Sequence, residues 1–472
     1  METKKKQIRE ILTIYILFFL SVIITYKTPQ ILGSLLQIIC LFFFWRSKKD
    51  YFWLAFVLII ESEVGFIFAK VDTIHSFSII PASLLGNLYF SLGFLFFAIL
   101  KFFPKKLKPP FFLKTNFILL GGYFLIQLMV FGIYKLPAVI RLGMPWILVF
   151  IIPHILKSEK EIANFFRLIF PFVILVLVSQ VYKIITGLEL STFFGGLASE
   201  IIYFRGGIEE SDVAIRPVYG SIIPFISIWG SIYFSTLKTK LFSKTYLSII
   251  LSLSIFSIFL TASRSWLISI SLMVFVYLII VAKNPLKTFT QILIGATIII
   301  IIVQAIPLLR KQIILSFNRF QTIETFAKGD ITAGGTLQRF DVRIKGPMKG
   351  FYKSPLIGWG VGDKANFYSD SHVGFHNLLM AGGLIGATLW GLLWLNFINK
   401  MLSAYQKFDS GNPYKNIPLV LISFLFSMLI IHAASQWFGY LISFNRTLVT
   451  ALLFTLGHRI YYFKTEVTEK TK

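Results

Sequence analysis

The sequence predicts an all-α, polytopic membrane protein, and three observations carry that expectation. Of 472 residues, 56% are hydrophobic and 17% aromatic, while only 14% are charged, against roughly 25% in a soluble domain. The apolar residues fall in runs of about 20, the length a helix needs to cross ~30 Å of hydrocarbon with every backbone group paired. The short loops between runs alternate between basic and nearly uncharged, as they do in chains that weave through a bilayer. A water-facing surface over most of the chain is excluded. So is the nucleic-acid partner that a net charge of +25 would suggest in a soluble protein.

Taken in order, runs at about 8–26, 30–45, 51–69, 77–100, 115–134, 137–156 and 168–187 form an N-terminal block over 1–187. The first follows a basic stub, Met1 to Glu10, and no small-residue cleavage site comes after it, which predicts a retained signal anchor. Cys40, the one cysteine, sits in the second run and allows no disulfide within the chain. A first long loop covers 188–216. Runs at about 217–236, 246–262, 265–282 and 289–307 form the block 217–307, with Arg264 at a turn between two of them. A second, larger loop covers 308–374, and runs at about 375–398, 417–435 and 441–461 fill the last block, 375–472. That makes about 12–14 transmembrane helices, depending on whether a short run such as 30–45 is re-entrant, with the large loop between the eleventh and twelfth.

Orientation follows from the basic residues. Segments carrying Lys4 to Arg9, Arg46 to Lys49, Lys101 to Lys114, Lys157 to Arg167, Lys238 to Lys244, Lys283 and Lys287, Lys400 to Lys415 and Arg459 to Lys472 alternate with loops holding little more than Lys27, Lys70, Lys135 and Arg264. Basic loops stay cytoplasmic, which predicts both termini inside and both long loops on the outer side. The first long loop is net acidic. The second is net basic, with Arg339, Arg343, Lys345, Lys349, Lys353 and Lys364 among its cations. An anionic ligand at the outer leaflet explains that excess; the plainer alternative is that long loops translocate whatever their charge.

Motifs of soluble enzymes are absent: there is no nucleotide P-loop, no HExxH and no cysteine cluster with metal spacing. The glycines of GWGVGD, Gly358, Gly360 and Gly362, lack the strand and helix of a dinucleotide site. Two stretches remain. In FLTASRSWL, residues 259–267, Arg264 stands directly between two apolar helices. A charge there is a functional candidate or an arginine reaching for headgroups. The second stretch runs from Thr336 to Leu393 and places His376 and Asn377 at the outer mouth of a span. Gly382, Gly383, Gly386 and Gly391 of that span suit close helix packing. Glu61 and Glu63 in the third run and Arg141 in the sixth are further intramembrane charges that can pair with each other.

Together these stretches resemble the O-antigen ligase and polymerase family. Its SRxxxL element is matched by Ser263, Arg264, Ser265 and Trp266, with Ile268 in the last place. The arginine-bearing segment that ends in PLxGxG is matched by Arg339 and Arg343 leading into Pro355, Leu356, Gly358 and Gly360. The HNxxL element with a following GxxG is matched by His376, Asn377, Gly383 and Gly386, with Met380 for the usual Leu. Two departures stand out. Family members often carry an acid shortly after the HN pair, where this chain has Ala381, Gly382 and Gly383, so Asp363 or Asp370 would have to substitute. The family's earlier outer-loop arginine corresponds to Arg216 or Arg205.

The resemblance implies a glycosyltransferase of the cell inner membrane whose large loop works on the periplasmic side. It would move a glycan from a polyprenyl-pyrophosphate (undecaprenyl-type) carrier to a sugar hydroxyl on a growing glycan or a lipid core, in surface polysaccharide or lipopolysaccharide synthesis, without metal or cofactor. Arg264 with Arg339 or Arg343 would hold the diphosphate, because guanidinium forks bind phosphate oxygens bidentately and stay ionised. His376 would take the acceptor's proton, with His372 as its competitor and Asn377 beside it; a histidine at a helix start is otherwise a polar cap. The competing class is a polysaccharide flippase or other multi-span transporter, which calls for internal repeat symmetry and discontinuous helices. The sequence displays neither.

Overall fold

The computed structural model describes residues 2–27, 30–62, 78–83, 86–134, 136–186, 188, 190, 203–205, 213–215, 221–237, 241–261, 263–282, 286, 290, 294, 297, 307, 309–310, 312–314, 336–370 and 372–469. Among these the fold is helical apart from two short antiparallel ladders. The order is α1 (Glu2–Lys27), α2 (Gln30–Arg46), α3 (Asp50–Glu61), β1 (Ser78–Ser83), β2 (Gly86–Tyr89), α4 (Phe90–Phe102), α5 (Lys114–Phe131) and α6 (Leu136–Gly143). A 3-10 turn, Met144–Ile147, joins α6 to α7 (Leu148–Ile155), and α8 (Glu159–Ile169), α9 (Phe172–Thr186), β3 (Tyr203–Arg205) and β4 (Val213–Ile215) follow. Next come α10 (Ile222–Thr236), α11 (Lys244–Leu260), α12 (Arg264–Val276), α13 (Thr336–Lys353), α14 (Asp363–Tyr368), α15 (Gly374–Lys407), α16 (Ile417–Ala434) and α17 (Phe444–Glu469).

Six of the described segments are long and apolar enough to cross a membrane: Lys5–Ile24, Lys114–Phe131, Leu136–Ile155, Glu159–Thr186, Gly374–Lys407 and Ile417–Ala434. Five shorter apolar helices accompany them: Ile31–Arg46, Phe90–Phe102, Ile222–Thr236, Lys244–Leu260 and Arg264–Ile280. The polytopic helical expectation holds, and among the described residues not every apolar run forms a helix of full span length. One reason is local. The run at 77–100 opens with Pro81 in β1, whose ladder pairs Ser78 with Tyr89 and Ser83 with Gly86, so its helix starts only at Phe90; proline supplies no amide to a helix interior. The run at 289–307 lies outside the described residues apart from isolated positions.

The larger correction concerns 308–374, expected as one long loop. Its second half is helical, with α13 covering Thr336–Lys353 and α14 covering Asp363–Tyr368.

The helices gather into two compact units. Unit 1 comprises Met1–Lys105, His154–Ser263 and Lys283–Arg319. There Lys101 Nζ binds Asp50 Oδ1 at 2.5 Å, Ser47 O at 2.7 Å and Phe44 O at 3.0 Å, tying α2, α3 and α4 at one end. Ser158 and Glu161 form a reciprocal cap that starts α8, satisfying amides a helix start leaves open. A Cβ on Gly230 would sit 2.3 Å from Phe166, so α10 lies directly on α8. Glu61 ends α3 in this unit, Arg141 lies in the other, and Glu63 is outside the described residues.

Unit 2 comprises Lys106–Pro153, Arg264–Ala282 and Phe320–Lys472. In it α12 and α16 run antiparallel. Trp266 meets Trp437 at 5.8 Å, the Ser269 hydroxyl donates to Ser427 O at 2.9 Å, and Asn416 Nδ2 donates to Ile280 O at 2.9 Å. Buried hydroxyl-to-carbonyl bonds of this kind join apolar helices where hydrophobicity cannot discriminate between partners.

Candidate functional site

Helix α15 is not one rod. Gly383 has φ +61° and ψ −169° inside it, a conformation essentially confined to glycine. Phe375 and Trp394 lie 19 positions apart, about 28 Å along a straight helix, yet their ring centres are 6.2 Å apart. The chain therefore doubles back at Gly383: a short helix over 374–382 lies beside the long one over 384–407. The discontinuity, absent from the sequence reading, is a correction to the single span expected at 375–398.

The break is filled by the backbone of the PLxGxG segment. Trp359 N donates to Met380 O at 3.1 Å and Gly360 N to Ala381 O at 2.8 Å, while Leu384 N donates to Pro355 O at 2.8 Å and Ile385 N to Leu356 O at 3.1 Å. The amides and carbonyls that a continuous helix would pair with one another are thus paired through the inserted loop, as burial demands. Such an approach leaves no room for side chains. A Cβ on Gly358 would sit 2.4 Å from Ala381 O, and one on Gly383 would sit 2.3 Å from Leu356 O. From α5, the Tyr123 hydroxyl stands 2.8 Å from both Ile357 O and Gly382 O, either of which can accept its proton. Gln127 Nε2 donates to Ile357 O at 2.5 Å and Ala381 O at 2.8 Å. Gly383 and Gly358 thus serve this joint; Gly386 meets the Tyr440 hydroxyl, and Gly391, expected in packing, has nothing near it.

His376 stands in the first turn of the short helix, half-buried, rather than at the mouth of a straight span. Its neighbour Asn377 is buried and clamps the preceding turn from both sides: Asn377 Nδ2 donates to Asp370 O, and Asp370 N donates to Asn377 Oδ1 at 3.0 Å. The Asp370 carboxylate accepts from His372 N at 2.9 Å and pairs with Arg343 Nη1 at 3.3 Å. Arg343, Asp370, the His372 backbone and Asn377 are therefore tethered together, and His376 precedes Asn377 on the same helical turn. Arg339 lies one turn before Arg343 on α13; its side chain is outside the described residues. Asp363 is exposed at the start of α14.

Arg264 opens α12, and both helix starts bear on the same stretch, 432–438. Gly374 lies so close to His432 that a Cβ would sit 2.0 Å from its carbonyl, and Phe375 meets the His432 ring at 4.7 Å. His432 is buried, and its Nδ1 accepts from Trp437 N at 3.0 Å and Phe438 N at 3.2 Å. Trp437 in turn packs on Trp266, two residues after Arg264. The register Ser269 to Ser427 places Arg264 level with His432, five residues along each antiparallel helix. A third arginine joins them: Arg446 Nη1 donates to Gln436 O at 2.5 Å and its guanidinium lies 5.7 Å from the Trp437 ring. Sequence reasoning missed Arg446 because it stood inside an apolar run; its signal was a lone arginine six residues into the last span.

In unit 2, Arg446 and the start of α12 at Arg264 thus border the turn 432–438, and the helix that carries His376 begins on it at Gly374 and Phe375. Arg205 ends β3 in unit 1 with its side chain outside the described residues, as is Arg216 altogether. No group of three or more His, Cys, Asp or Glu suited to a metal occurs among the described residues. Residues 249–391 match the O-antigen ligase family, a stretch that holds Arg264, Arg339, Arg343, His376 and both glycines of the joint. No curated protein matches the chain.

Proposed function

With an O-antigen ligase domain across 249–391 as the premise, we propose that the chain is a membrane glycosyltransferase. It transfers a glycan from a polyprenyl-pyrophosphate carrier to a hydroxyl of a glycan or lipid-core acceptor. The acceptor oxygen attacks the anomeric carbon, the bond from that carbon to the diphosphate breaks, and the hydroxyl proton passes to His376. Arg264 and Arg343, with Arg339 on the same helix, bind the departing diphosphate; forked, permanently charged donors suit an anion whose charge grows as it leaves. The observation that carries the reading is the common seat of two helix starts, Gly374 and Arg264, on the turn 432–438. Helix N-termini add positive potential to the arginines. Asp370, held against Arg343, is the available substitute for the acid missing after the HN pair.

A transporter reading gains one feature, the discontinuous helix at Gly383. The break nevertheless turns its backbone groups toward residues 355–360, Tyr123 and Gln127, not toward a solute, so the transferase is preferred.

Purified variants assayed with a polyprenyl-pyrophosphate glycan test the roles. Arg264→Lys keeps the charge and loses the fork, so donor binding should weaken. His376→Ala should lower turnover about 10²- to 10⁴-fold with donor binding nearly intact, because a base acts in the transition state. Near-normal turnover in His376→Ala would exclude it as the base and shift that role to His372.

A further inference from the structure

We propose that two exposed helical segments, residues 342–353 of α13 and 363–367 of α14, lie in the headgroup layer of the bilayer and bind anionic phospholipid headgroups, while the chain between them dips into the hydrocarbon.

Depth is the first argument. The segment 355–362 packs along α5, a candidate span: Ile357 O takes its bonds from Tyr123 and Gln127, Trp359 meets Phe131 at 5.6 Å, and Tyr134 N donates to Val361 O at 3.2 Å. Tyr123 lies eight residues before the end of α5, about 12 Å of helix. Ile357 therefore sits near the middle of the layer that α5 crosses, and the chain rises from there to Val361 beside Tyr134, just past the end of α5. On that same half of α5, Leu125, Ile126, Met129 and Val130 are exposed apolar side chains, as hydrocarbon contact requires. Leu356, 61% exposed, shares their depth. An aqueous loop would not reach so far down a span, nor need its backbone paired so fully.

The exposed face of α13 is the second. Gly346 and Gly350 face inward, where a Cβ on Gly350 would sit 2.8 Å from Met380. The opposite stripe, spaced three, four and three residues apart, reads Val342, Lys345, Lys349 and Tyr352; Val342 is 68% and Tyr352 72% exposed. Phe367 on α14 is 79% exposed. Exposed apolar and aromatic side chains interleaved with lysines are what a helix lying in the interface presents: rings at headgroup level, ammonium groups reaching phosphate. Lys345, Lys349, Lys353 and Lys364 stand against exposed Asp341 and Asp363, so the balance is positive and the complementary surface is anionic.

The test uses the full chain, with Cys40→Ala as background, reconstituted into phosphatidylcholine vesicles with and without phosphatidylglycerol. Single cysteines at Leu356, Tyr352 and, as an aqueous control, Ser410 carry an environment-sensitive fluorophore. Nitroxide lipids should quench the labels at 356 and 352 several-fold more than aqueous iodide does, with the reverse at 410. Phosphatidylglycerol should shift the 352 label to the blue, and Lys345→Gln with Lys349→Gln should abolish that shift. Iodide quenching at 352 and 356 equal to that at 410 would overturn the interfacial placement. A 352 emission indifferent to phosphatidylglycerol would overturn the anionic partner. Both readouts are independent of glycan transfer.

Discussion

Replacing Gly383 by alanine attacks the joint that holds His376. The residue's φ of +61° costs an L side chain about 1–3 kcal/mol. Its Cβ would also stand 2.3 Å from Leu356 O and 2.5 Å from Gly358 N, both backbone atoms, so the inserted loop must withdraw. Withdrawal strains four backbone hydrogen bonds, between 359 and 380, 360 and 381, 384 and 355, and 385 and 356, each contributing about 0.5–1.5 kcal/mol. The total loss is then about 3–9 kcal/mol, a large part of the roughly 5–15 kcal/mol that keeps a domain folded. Hydrogen exchange of the Leu384 and Ile385 amides reads it directly: about 3 kcal/mol alone accelerates exchange on the order of 10²-fold. Gly391→Ala is the control, since a Cβ there meets nothing within 4 Å, and in a helix it should be neutral or stabilise by up to about 1 kcal/mol. Unchanged protection at 384 and 385 in Gly383→Ala would refute the reciprocal pairing as the element that holds the break.

Asn377→Ala removes both bonds to the Asp370 backbone and should loosen the 370–373 turn by about 1–3 kcal/mol, seen as faster exchange there and lower transfer; Asn377→Asp keeps the acceptor and should fall between. His432→Ala strips the acceptor from Trp437 N and Phe438 N and should lower the midpoint of thermal unfolding together with turnover, whereas His432→Asn, whose carbonyl can replace Nδ1, should retain most of both. Equal losses for the two variants would reject the acceptor role. Cysteines at Lys364 and Ser410, before and after the 384–407 helix, should label with an impermeant reagent from opposite sides of the membrane; labelling from one side would reject the topology.

What the sequence could carry was hydropathy, charge order and short motifs, and hydropathy and motifs can be followed into the structure. Most of the apolar runs within the described residues are helices, and the SRxxxL, PLxGxG and HN segments fall in the matched stretch. Helix α13 was hidden because its arginines and lysines read as loop, although Leu337, Phe340, Ile344, Met348 and Phe351 recur at helical spacing. The fold-back at Gly383 was hidden for another reason: AGGLIG is compatible with a packed straight helix, and only the long-range pairing to 355–360 selects the broken one. Arg446 and His432 escaped because their importance lies in what they touch, Gln436, Trp437 and Gly374, and not in their spacing along the chain.

The joint between 355–360 and 380–385 is built almost wholly of backbone. Its glycines are required by closeness, while Leu356 and Ile357 point outward with their side chains unconstrained by it. A PLxGxG signature paired with a downstream Gly-Gly therefore spells out a carpentry detail. Chains sharing those letters would share the platform on which the helix of Arg343 and the short helix of His376 are mounted, and would be free to differ in every side chain around it.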